Sequence, residues 1–282
     1  MVLHLGLKPI KRPVSLTIAG SDSSGGAGIQ ADLLTFARMG SVGTSAITCV
    51  TAQNLDGVRV IHRHRVDVIA GQIDAIFLGF PVGAVKTGML YSREIVDVVG
   101  EAVAKNVITR LVVDPVMVAT SGARLLNEDA ITGYVERIFP FAHLMTPNLD
   151  EAAVLLGHAV RDAGDMPDAA RQLGEQYRCA VLLKGGHLAG RELVDVLWDR
   201  ETIHRWTSPR VTGVGTHGTG CMLSAAITAR LSFGDPLVPA CLKAREYVEH
   251  VLLNCTEIAD GRRIPGLALM ESGPIRPRPA GG

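Results

Sequence analysis

The sequence lacks the cysteine pairs that a disulfide framework or a zinc site requires. Its five cysteines are odd in number and widely spaced, and no C-x-x-C pair occurs among them. This usage indicates a reducing compartment. The sequence also lacks any run of about 18 apolar residues, so it predicts no membrane span. At the N-terminus the basic residues follow the apolar ones, which is the wrong order for a signal peptide. We therefore expect a cytoplasmic protein.

A surplus of charge is also absent, because 28 basic and 28 acidic residues cancel in a chain of 282 residues. Without a basic surplus the sequence predicts no nucleic-acid binding. An anionic ligand would have to be held by local groups rather than by the field of the whole molecule. Apolar residues make up 47% of the chain, an ordinary globular balance, and the length allows a substantial core.

Short apolar runs alternate with amphipathic stretches along most of the chain. The runs are continuously apolar, as in strands covered on both faces, and the stretches between them have helical periodicity. This alternation predicts right-handed βαβ crossovers and an α/β fold with a mostly parallel sheet. Strands are predicted at 14–20, 45–53, 82–88, 110–116, 142–148 and 180–186, and a hairpin that extends the sheet at 192–199 and 202–208.

No linker and no internal repeat divides the chain, so we predict one domain over residues 14–260. Residues 1–13 are an N-terminal extension, and residues 261–282 are a tail rich in Pro and Gly that we expect to be flexible. Five predicted strands end in small or polar residues. In open α/β sheets, ligands bind beyond the carboxyl ends of the strands. The sequence therefore predicts one binding site at a shared rim.

The loop THGTGC, residues 216–221, has the form of an anion site. Gly218 and Gly220 let the backbone approach a ligand closely, and the apolar helix that follows presents unpaired N–H groups with a partial positive charge. A glycine-rich turn that merely starts a buried helix explains the same pattern, because no Walker lysine follows it. From the loop alone, both interpretations stay open.

A second glycine-rich loop runs from Gly20 to Asp32 and matches neither the G-x-G-x-x-G nor the Walker spacing. It is consistent with a binding loop, a lid or a tight turn. Asp32 lies on the helix after the loop. Its carboxylate would either hydrogen-bond a ligand or favour the first helical turns through the helix dipole.

Four polar residues lie at other strand ends. Asn148 and Glu151 are three residues apart, which predicts an N-terminal capping box, although an amide and a carboxylate also suit a hydrated magnesium ion. Asp114 follows a wholly apolar strand, which packing alone does not explain. Lys184 ends another strand, where it would reach a polyphosphate or extend to solvent. His187 and His217 lack metal-ligand spacing and are interpreted as local hydrogen-bonding groups.

Together these loops carry a specific resemblance over roughly residues 14–230. The matching stretches, in order, are TIAGSDSSGGAGIQADL, TAQN, KTGML, VVDPVM, TPNLDEA, LLKGGH and THGTGC. They resemble the hydroxymethylpyrimidine/phosphomethylpyrimidine kinases of thiamine biosynthesis, within the ribokinase superfamily. The resemblance implies a ribokinase-like three-layer α/β/α sandwich. It also implies ATP and Mg²⁺ as cofactors, a homodimer, and phosphorylation of 4-amino-5-hydroxymethyl-2-methylpyrimidine to its monophosphate and then its diphosphate.

The same resemblance assigns roles to individual residues. Gln53 would bind the aminopyrimidine edge, because a side-chain amide both donates and accepts. The rest of the acceptor pocket would be lined by Gly20, Ala27, Asp32, Met89 and Val116. The magnesium set would be Asp114, Asn148 and Glu151. Lys184 would lie near the ATP phosphates, and the backbone of Thr216, Gly218, Thr219 and Gly220 would hold the transferring phosphoryl group.

Cys221 stands where most ribokinase-like sugar kinases have an aspartate base. A helix N-terminus should lower the pKa of its thiol below the free value of about 8.5, which would allow a thiolate base. An inert thiol that only shapes the pocket is the alternative, since a largely dissociative transfer needs little help from a base.

Two departures from the family pattern stand out. Ser23 replaces the usual proline of the S-D-P-S-G-G loop, and we expect a more mobile loop from this. VGTHGTGC replaces K-N-T-H-G-T-G-C, so any contact from that lysine or asparagine is missing.

The nearest rival function is pyridoxal kinase, in which the thiol of Cys221 would add to the aldehyde. A more distant rival is a catalytically silent regulator that binds a nucleotide or a pyrimidine. The intact polar set argues against that regulator. A fused thiamine-phosphate synthase is not expected, because too few residues remain for a second domain.

Overall fold

A nine-stranded sheet forms the centre of the molecule in a computed structural model, which describes residues 11–117, 128–258 and 260–266. The strands are β1 (Val14–Asp22), β2 (Val42–Asn54), β3 (Gly57–Arg63), β4 (Val82–Thr87), β5 (Leu111–Val113), β6 (Leu144–Met145), β7 (Ala180–Lys184), β8 (Glu192–Trp198) and β9 (Ile203–Pro209). Their order across the sheet is β3-β2-β1-β4-β5-β6-β7-β8-β9.

The strands from β2 to β7 in that order are parallel, and antiparallel hairpins extend the sheet at both edges. β3 pairs with β2 at one edge, and β8 and β9 follow β7 at the other. Because the six central strands run the same way, their carboxyl ends meet at one rim. The predicted mostly parallel sheet is confirmed.

Helices cover both faces of the sheet. They are α1 (Gly28–Met39), α2 (Val66–Gly79), α3 (Arg93–Lys105), α4 (Glu128–Gly133), α5 (Leu149–Leu156), α6 (Met166–Tyr177), α7 (Thr219–Ser232) and α8 (Leu237–Leu253). α1, α7 and α8 pack on one face, and α2 to α6 pack on the other. The result is the three-layer α/β/α sandwich that the sequence resemblance implies.

The period of two along each strand divides the core between the two faces. On β5, Leu111 and Val113 belong to the core beneath α3, whereas Val112 belongs to the core beneath α7. On β4, Val85 and Ala84 divide in the same way. All five side chains are buried, which explains why these strands read as continuous apolar runs.

Three elements differ from the expectation. β3 was not predicted, since the sequence GVRVIHR alternates with arginine and histidine as suits an exposed edge strand. The amphipathic stretch 128–139, whose periodicity indicates one helix, forms α4 and then a π-helical turn (Tyr134–Ile138) and a 3₁₀ turn, where Pro140 interrupts regular α-helical bonding. Arg263–Ile264 pairs with Thr256–Glu257, so part of the predicted tail is folded, while residues 267–282 lie outside the described residues.

Among the residues described, none of the helices has the length and apolar character that crossing a membrane requires.

Candidate active site

A cavity of about 610 Å³ opens at the carboxyl rim of the parallel strands. The loops after β1, β2, β4, β5 and β7 contribute to its wall, together with the N-terminus of α7 and one side of α8. All the predicted site residues except one line this cavity. They are Gly20, Ala27, Gln53, Met89, Val116, Asp114, Asn148, Glu151, Lys184, Thr216, Gly218, Thr219, Gly220 and Cys221.

Gly20, near the end of β1, lines the same cavity as Gln53 and is closely packed. A Cβ added to Gly20 would lie 2.9 Å from Sγ of Cys49 and 3.0 Å from Cε of Met89, so no larger residue fits there without a shift. This packing explains the glycine at the end of an otherwise apolar strand. Gln53 is half-buried and lines the same cavity.

The carboxylate of Asp22 organises the first glycine-rich loop. It accepts hydrogen bonds from the backbone N–H of Ser24 (2.8 Å) and Ala27 (2.9 Å). Burial would raise the pKa of Asp22, but the contact with His217 and these backbone donors lower it to about 2. The loop is therefore a tight turn held by an ionised side chain.

Ser23 fixes this loop to the neighbouring strand. Its hydroxyl donates to the carbonyl oxygen of Gln53 (2.7 Å) and accepts from the N–H of Gln53 (2.8 Å). These two bonds oppose the extra mobility expected from serine in place of proline, which stays a prediction. A proline has no side-chain hydroxyl and would leave both backbone groups of Gln53 without these partners.

Asp32 is the predicted site residue that does not reach the cavity. Both of its carboxylate oxygens contact Nζ of Lys86, at 2.7 and 2.8 Å, and one also accepts from Thr17 (2.6 Å). Asp32 and Lys86 are fully buried. The assignment of Asp32 to the acceptor pocket is corrected: its carboxylate lies behind Lys86, and Lys86 is the member of the pair that lines the cavity. A lysine inside the apolar strand VGAVKT was the sequence signal for a buried partner.

At the other end of the cavity the THGTGC loop leads into α7. Gly218 has a φ of 81°, and a Cβ there would collide with the carbonyl oxygen of Gly26. The two glycine-rich loops therefore meet through their backbones. A Cβ on Gly220 would lie 3.3 Å from Nζ of Lys184, so this ammonium group stands beside the helix N-terminus. The combination suits an anion.

Lys184 turns inward rather than extending to solvent. Its Nζ lies 3.0 Å from Oδ1 of Asp114, and only 15% of the lysine side chain is exposed. Burial would lower the pKa of Lys184, but the carboxylates of Asp114 and Glu151 raise it. Burial would raise the pKa of Asp114, but Lys184 and Lys86 lower it. Both groups are therefore charged at neutral pH.

Asn148 and Glu151 form the predicted capping box at the start of α5. Oδ1 of Asn148 accepts from the N–H of Glu151 (2.8 Å), and Oε2 of Glu151 accepts from the N–H of Asn148 (2.8 Å). Burial raises the pKa of Glu151 to about 7, although Lys184 opposes this change. The capping role and a role toward a ligand are compatible, because both residues also line the cavity.

Within the described residues, no group of three or more His, Cys, Asp or Glu side chains is arranged to hold a metal ion directly. Two buried carboxylates, Asp114 and Glu151, nevertheless line the same end of the cavity. Such a pair suits Mg²⁺, which keeps several of its own waters and needs only one or two carboxylates. The residues fit a hydrated ion rather than a closed protein cage.

Cys221 lies in the first turn of α7, as expected, but its thiol is not activated. Burial raises the pKa of Cys221 to about 11, and the lowering effect of Lys86 only partly offsets it. The expectation of a pKa below the free value is therefore wrong for the ligand-free molecule. The effect of desolvation outweighs that of the nearby ammonium group. At neutral pH the group is a thiol.

His217 connects the two ends of the cavity. Its Nε2 lies 3.0 Å from Oδ2 of Asp22 and 3.1 Å from the amide nitrogen of Gln53. The interpretation of His217 as a hydrogen-bonding group is confirmed, but its partners are far away in sequence. No local pattern in the THGTGC loop identifies either of them.

Comparison with known proteins places these observations among kinases. Residues 22–264 match the family model described as phosphomethylpyrimidine kinase. A hydroxymethylpyrimidine/phosphomethylpyrimidine kinase from Rhizobium meliloti (strain 1021) is 45% identical over 255 residues, which cover 88% of this chain and 94% of that protein. The thiamine biosynthesis bifunctional protein ThiED from Geobacter sulfurreducens is 46% identical over 240 residues, or 85% of this chain. The chain spans about half of that longer protein, 49% of its length.

Solved structures of kinases are also similar to this chain. The crystal structure of a phosphomethylpyrimidine kinase from Clostridium difficile 630 matches with a TM-score of 0.76 and 38% identity, covering 85% of this chain and 99% of that one. An ADP complex of pyridoxal kinase from Bacillus subtilis matches with a TM-score of 0.84 and 34% identity, covering 90% and 97%.

Proposed function

The chain belongs to the phosphomethylpyrimidine kinase family, and from this premise we propose how its cavity carries out the family's reaction. The enzyme transfers a phosphoryl group from ATP to 4-amino-5-hydroxymethyl-2-methylpyrimidine. A second ATP then converts the monophosphate to the diphosphate, for thiamine diphosphate biosynthesis. One observation carries the site assignment: a single cavity joins the amide of Gln53 to the anion-binding loop of residues 216–221.

Gln53 would recognise the acceptor. An aminopyrimidine presents an amino donor next to a ring-nitrogen acceptor, and a side-chain amide offers the complementary pair. Gly20, Ala27, Met89 and Val116 would form the walls against which the ring packs. The two hydrogen bonds between the hydroxyl of Ser23 and the backbone of Gln53 support this role, because they hold the strand end in place before the acceptor arrives.

The loop before α7 and Lys184 would hold the transferring group. The backbone N–H groups at Gly218, Thr219 and Gly220 begin a helix, where the helix dipole favours an anion, and Thr216 lines the same wall. Lys184 adds a fixed positive charge beside Gly220. Phosphoryl transfer depends mainly on positioning and charge stabilisation, which these groups would provide.

We further propose that Asp114 and Glu151 hold Mg²⁺ through its waters. The ion would neutralise charge on the phosphate oxygens of ATP. The side-chain oxygen of Asn148 is engaged by the N–H of Glu151, so Asn148 would act by fixing Glu151. The pairing of Asp114 with Lys184 supports this arrangement, since it keeps one carboxylate ionised in a buried site.

Cys221 would accept the proton of the substrate hydroxyl in the first transfer. The thiol must first lose its own proton to solvent in the cavity, and Lys86 is the nearby positive charge that favours this loss. The second transfer has an anionic phosphate as its nucleophile and needs no base. The two steps should therefore depend on Cys221 to different extents.

A second candidate activity is phosphorylation of pyridoxal, alone or alongside the pyrimidine. It is favoured by the structural match to a pyridoxal kinase over 90% of the chain. Pyridoxal also carries a hydroxymethyl group on a flat, methylated heteroaromatic ring, but it lacks the amino group next to a ring nitrogen that Gln53 is suited to read.

Steady-state kinetics with ATP and Mg²⁺ would test these proposals. The acceptors to compare are the pyrimidine alcohol, its monophosphate and pyridoxal. We expect turnover of the first two, with a higher kcat/KM for the pyrimidine alcohol than for pyridoxal. Turnover of pyridoxal alone would reverse the assignment. The homodimer and the cytoplasmic location stay predictions from the sequence.

A further inference from the structure

His217 makes two contacts through a single ring nitrogen, and together they restrict how hydrogen atoms can be arranged. Oδ2 of Asp22 lies 3.0 Å from Nε2, and the amide nitrogen of Gln53 lies 3.1 Å from the same atom. An imidazole nitrogen either donates one proton or accepts one, so it cannot do both at once. Whether Nε2 donates or accepts toward one partner therefore also fixes which atom of the other partner can bond it.

Asp22 determines the state of Nε2. With a pKa of about 2, its carboxylate is ionised and only accepts hydrogen bonds. Nε2 of His217 must then carry a proton, whether the ring is neutral or positively charged. An Nε2–H group cannot accept from the NH₂ of Gln53. Its single proton lies between the carboxylate of Asp22 and the amide of Gln53 in a three-centre hydrogen bond, and on Gln53 only the amide oxygen can accept it.

The opposite end of the Gln53 amide leads to the same conclusion. The hydroxyl of Thr51 has one proton and two acceptors within reach, and we assign the proton to the nearer one, the carbonyl oxygen of Ser21 at 2.9 Å. The hydroxyl oxygen lies 3.2 Å from Oε1 of Gln53. Two acceptors cannot bond each other, so the amide nitrogen belongs at this position. Amide oxygen and nitrogen are distinguished by their hydrogen-bond partners, and here both partners require the amide to be turned by 180°.

We infer that His217, held by Asp22, fixes the amide of Gln53 with its oxygen toward the THGTGC loop and its nitrogen toward Thr51. Gln53 then keeps one free lone pair on the His217 side and one free N–H on the Thr51 side. His217 is a positioning residue in this scheme. It acts on the acceptor only through Gln53.

The fixed direction would orient the substrate, so this inference rests on the proposed function. On the pyrimidine ring, the 4-amino group lies between N3 and the 5-hydroxymethyl group. With the amino group on the oxygen of Gln53 and N3 on its nitrogen, the hydroxymethyl group extends toward residues 216–221. A reversed amide would favour a ring turned over, with its hydroxymethyl group directed away from the phosphoryl-transfer end.

A pair of acceptors that differ in hydrogen-bond direction tests the inference. The natural alcohol presents an amino donor beside the N3 acceptor, whereas 5-hydroxymethyl-2-methylpyrimidin-4-one presents a carbonyl acceptor beside an N3–H donor. We expect the wild-type enzyme to prefer the amino compound by about 10³-fold or more in kcat/KM, as sites built around buried hydrogen bonds do. The His217→Ala variant frees the amide to turn, and its preference should fall at least about tenfold.

Two further proteins make the result specific. Asp22→Asn can donate to Nε2 and so permit the other tautomer, and it should lower the same preference. His158→Ala replaces an exposed histidine outside the cavity and should keep the wild-type preference. Thermal unfolding of each variant checks that it is folded. Should neither site variant fold, ¹⁵N NMR of histidine-labelled wild-type enzyme decides the point, since the inference requires a protonated Nε2 on His217.

An equal loss of kcat/KM for both acceptors in folded His217→Ala would overturn the inference, as would an unprotonated Nε2. A wild-type enzyme that phosphorylates the two acceptors equally would also overturn it. Failure of the wild-type enzyme to phosphorylate the amino compound at all would instead contradict the proposed function, so the two failures are distinguishable.

Discussion

Lys86 and Asp32 form a completely buried ion pair, in which Nζ of the lysine contacts both carboxylate oxygens at 2.7 and 2.8 Å. The pair joins the middle of the sheet to α1 directly behind the cavity. Burial alone would lower the pKa of Lys86, but Asp32 raises it well above its ordinary value. The lysine is therefore a permanent positive charge beneath Cys221.

Removing one member of this pair should destabilise the fold strongly. Lys86→Met leaves Asp32 buried without a partner, and we expect a loss of about 3–5 kcal/mol in the free energy of unfolding. The double variant Lys86→Met, Asp32→Leu should recover most of that loss, because no unpaired charge remains. Urea unfolding measures both. Lys105→Met breaks the exposed contact with Asp74 and is the control, so an equal loss in the two single variants would contradict the prediction.

Cys221 should matter more for the first phosphorylation than for the second. In Cys221→Ala we expect kcat for the alcohol to fall by about tenfold to a hundredfold, within the usual range for losing a general base, while kcat for the monophosphate changes little. Cys255→Ala serves as the control outside the cavity. Equal losses in the two steps would exclude the base role.

The same thiol should react slowly with alkylating reagents near neutral pH. Because burial raises the pKa of Cys221 to about 11, its thiolate fraction should increase about tenfold for each pH unit between pH 7.5 and 9.5. Iodoacetamide labelling followed by peptide mass spectrometry measures the rate at this site. A rate that has already levelled off at pH 8 would mean that the thiol is activated after all.

Glu151 should make the protein less stable as the pH rises. Its carboxyl pKa increases from 4.5 in the unfolded chain to about 7 in the fold, so the folded state binds more protons between these values. Stability from this group is complete below about pH 4.5 and is lost as the pH rises through 7. Relative to wild type, Glu151→Gln should gain on the order of 2 kcal/mol at pH 7.5 compared with pH 5. Exposed Glu101→Gln should show no such pH-dependent gain in urea unfolding.

Gly218 should tolerate no side chain. Gly218→Ala adds a Cβ that collides with Gly26 and also places alanine at a φ of 81°. Gly213→Ala carries the same type of backbone strain, at a φ of 77°, with no atom within 4 Å of the new Cβ. We expect a loss of activity of about a hundredfold or more in the first variant and a small change in the second, because misplacement by an ångström can reduce rates this much. Similar kcat values in the two variants would show that contact between the loops is unimportant.

The sequence predicted the layers of the fold better than the contacts of the site. Continuous apolar runs identify strands such as β5 and β7 because each position faces one of two cores. The edge strand β3 lacks this pattern, since one side of an edge strand meets solvent. The family resemblance placed Asp32 in the pocket, and no local sequence pattern showed that its carboxylate has a buried partner. That partner, Lys86, lies 54 residues further along the chain.

Side-chain contacts between residues far apart in the sequence could not be predicted for the loops. Asn148 and Glu151 were predicted correctly as a capping box, because a local motif contains both partners. The contacts of His217 with Gln53 and Asp22 span 164 and 195 residues. No spacing rule connects such positions. The pKa of Cys221 was also misjudged, since a helix N-terminus is visible in sequence and the degree of burial is not.

Ser23 should lower the temperature at which the enzyme loses activity on heating. A proline stiffens a loop in any state of the chain, whereas the hydroxyl of Ser23 restrains it only while the end of β2 is in place. That end pairs with an edge strand, where fraying requires little free energy. Local opening of the β2–β3 hairpin would break both hydrogen bonds of Ser23 and release the first glycine-rich loop. Inactivation at a temperature below that of global unfolding is the consequence.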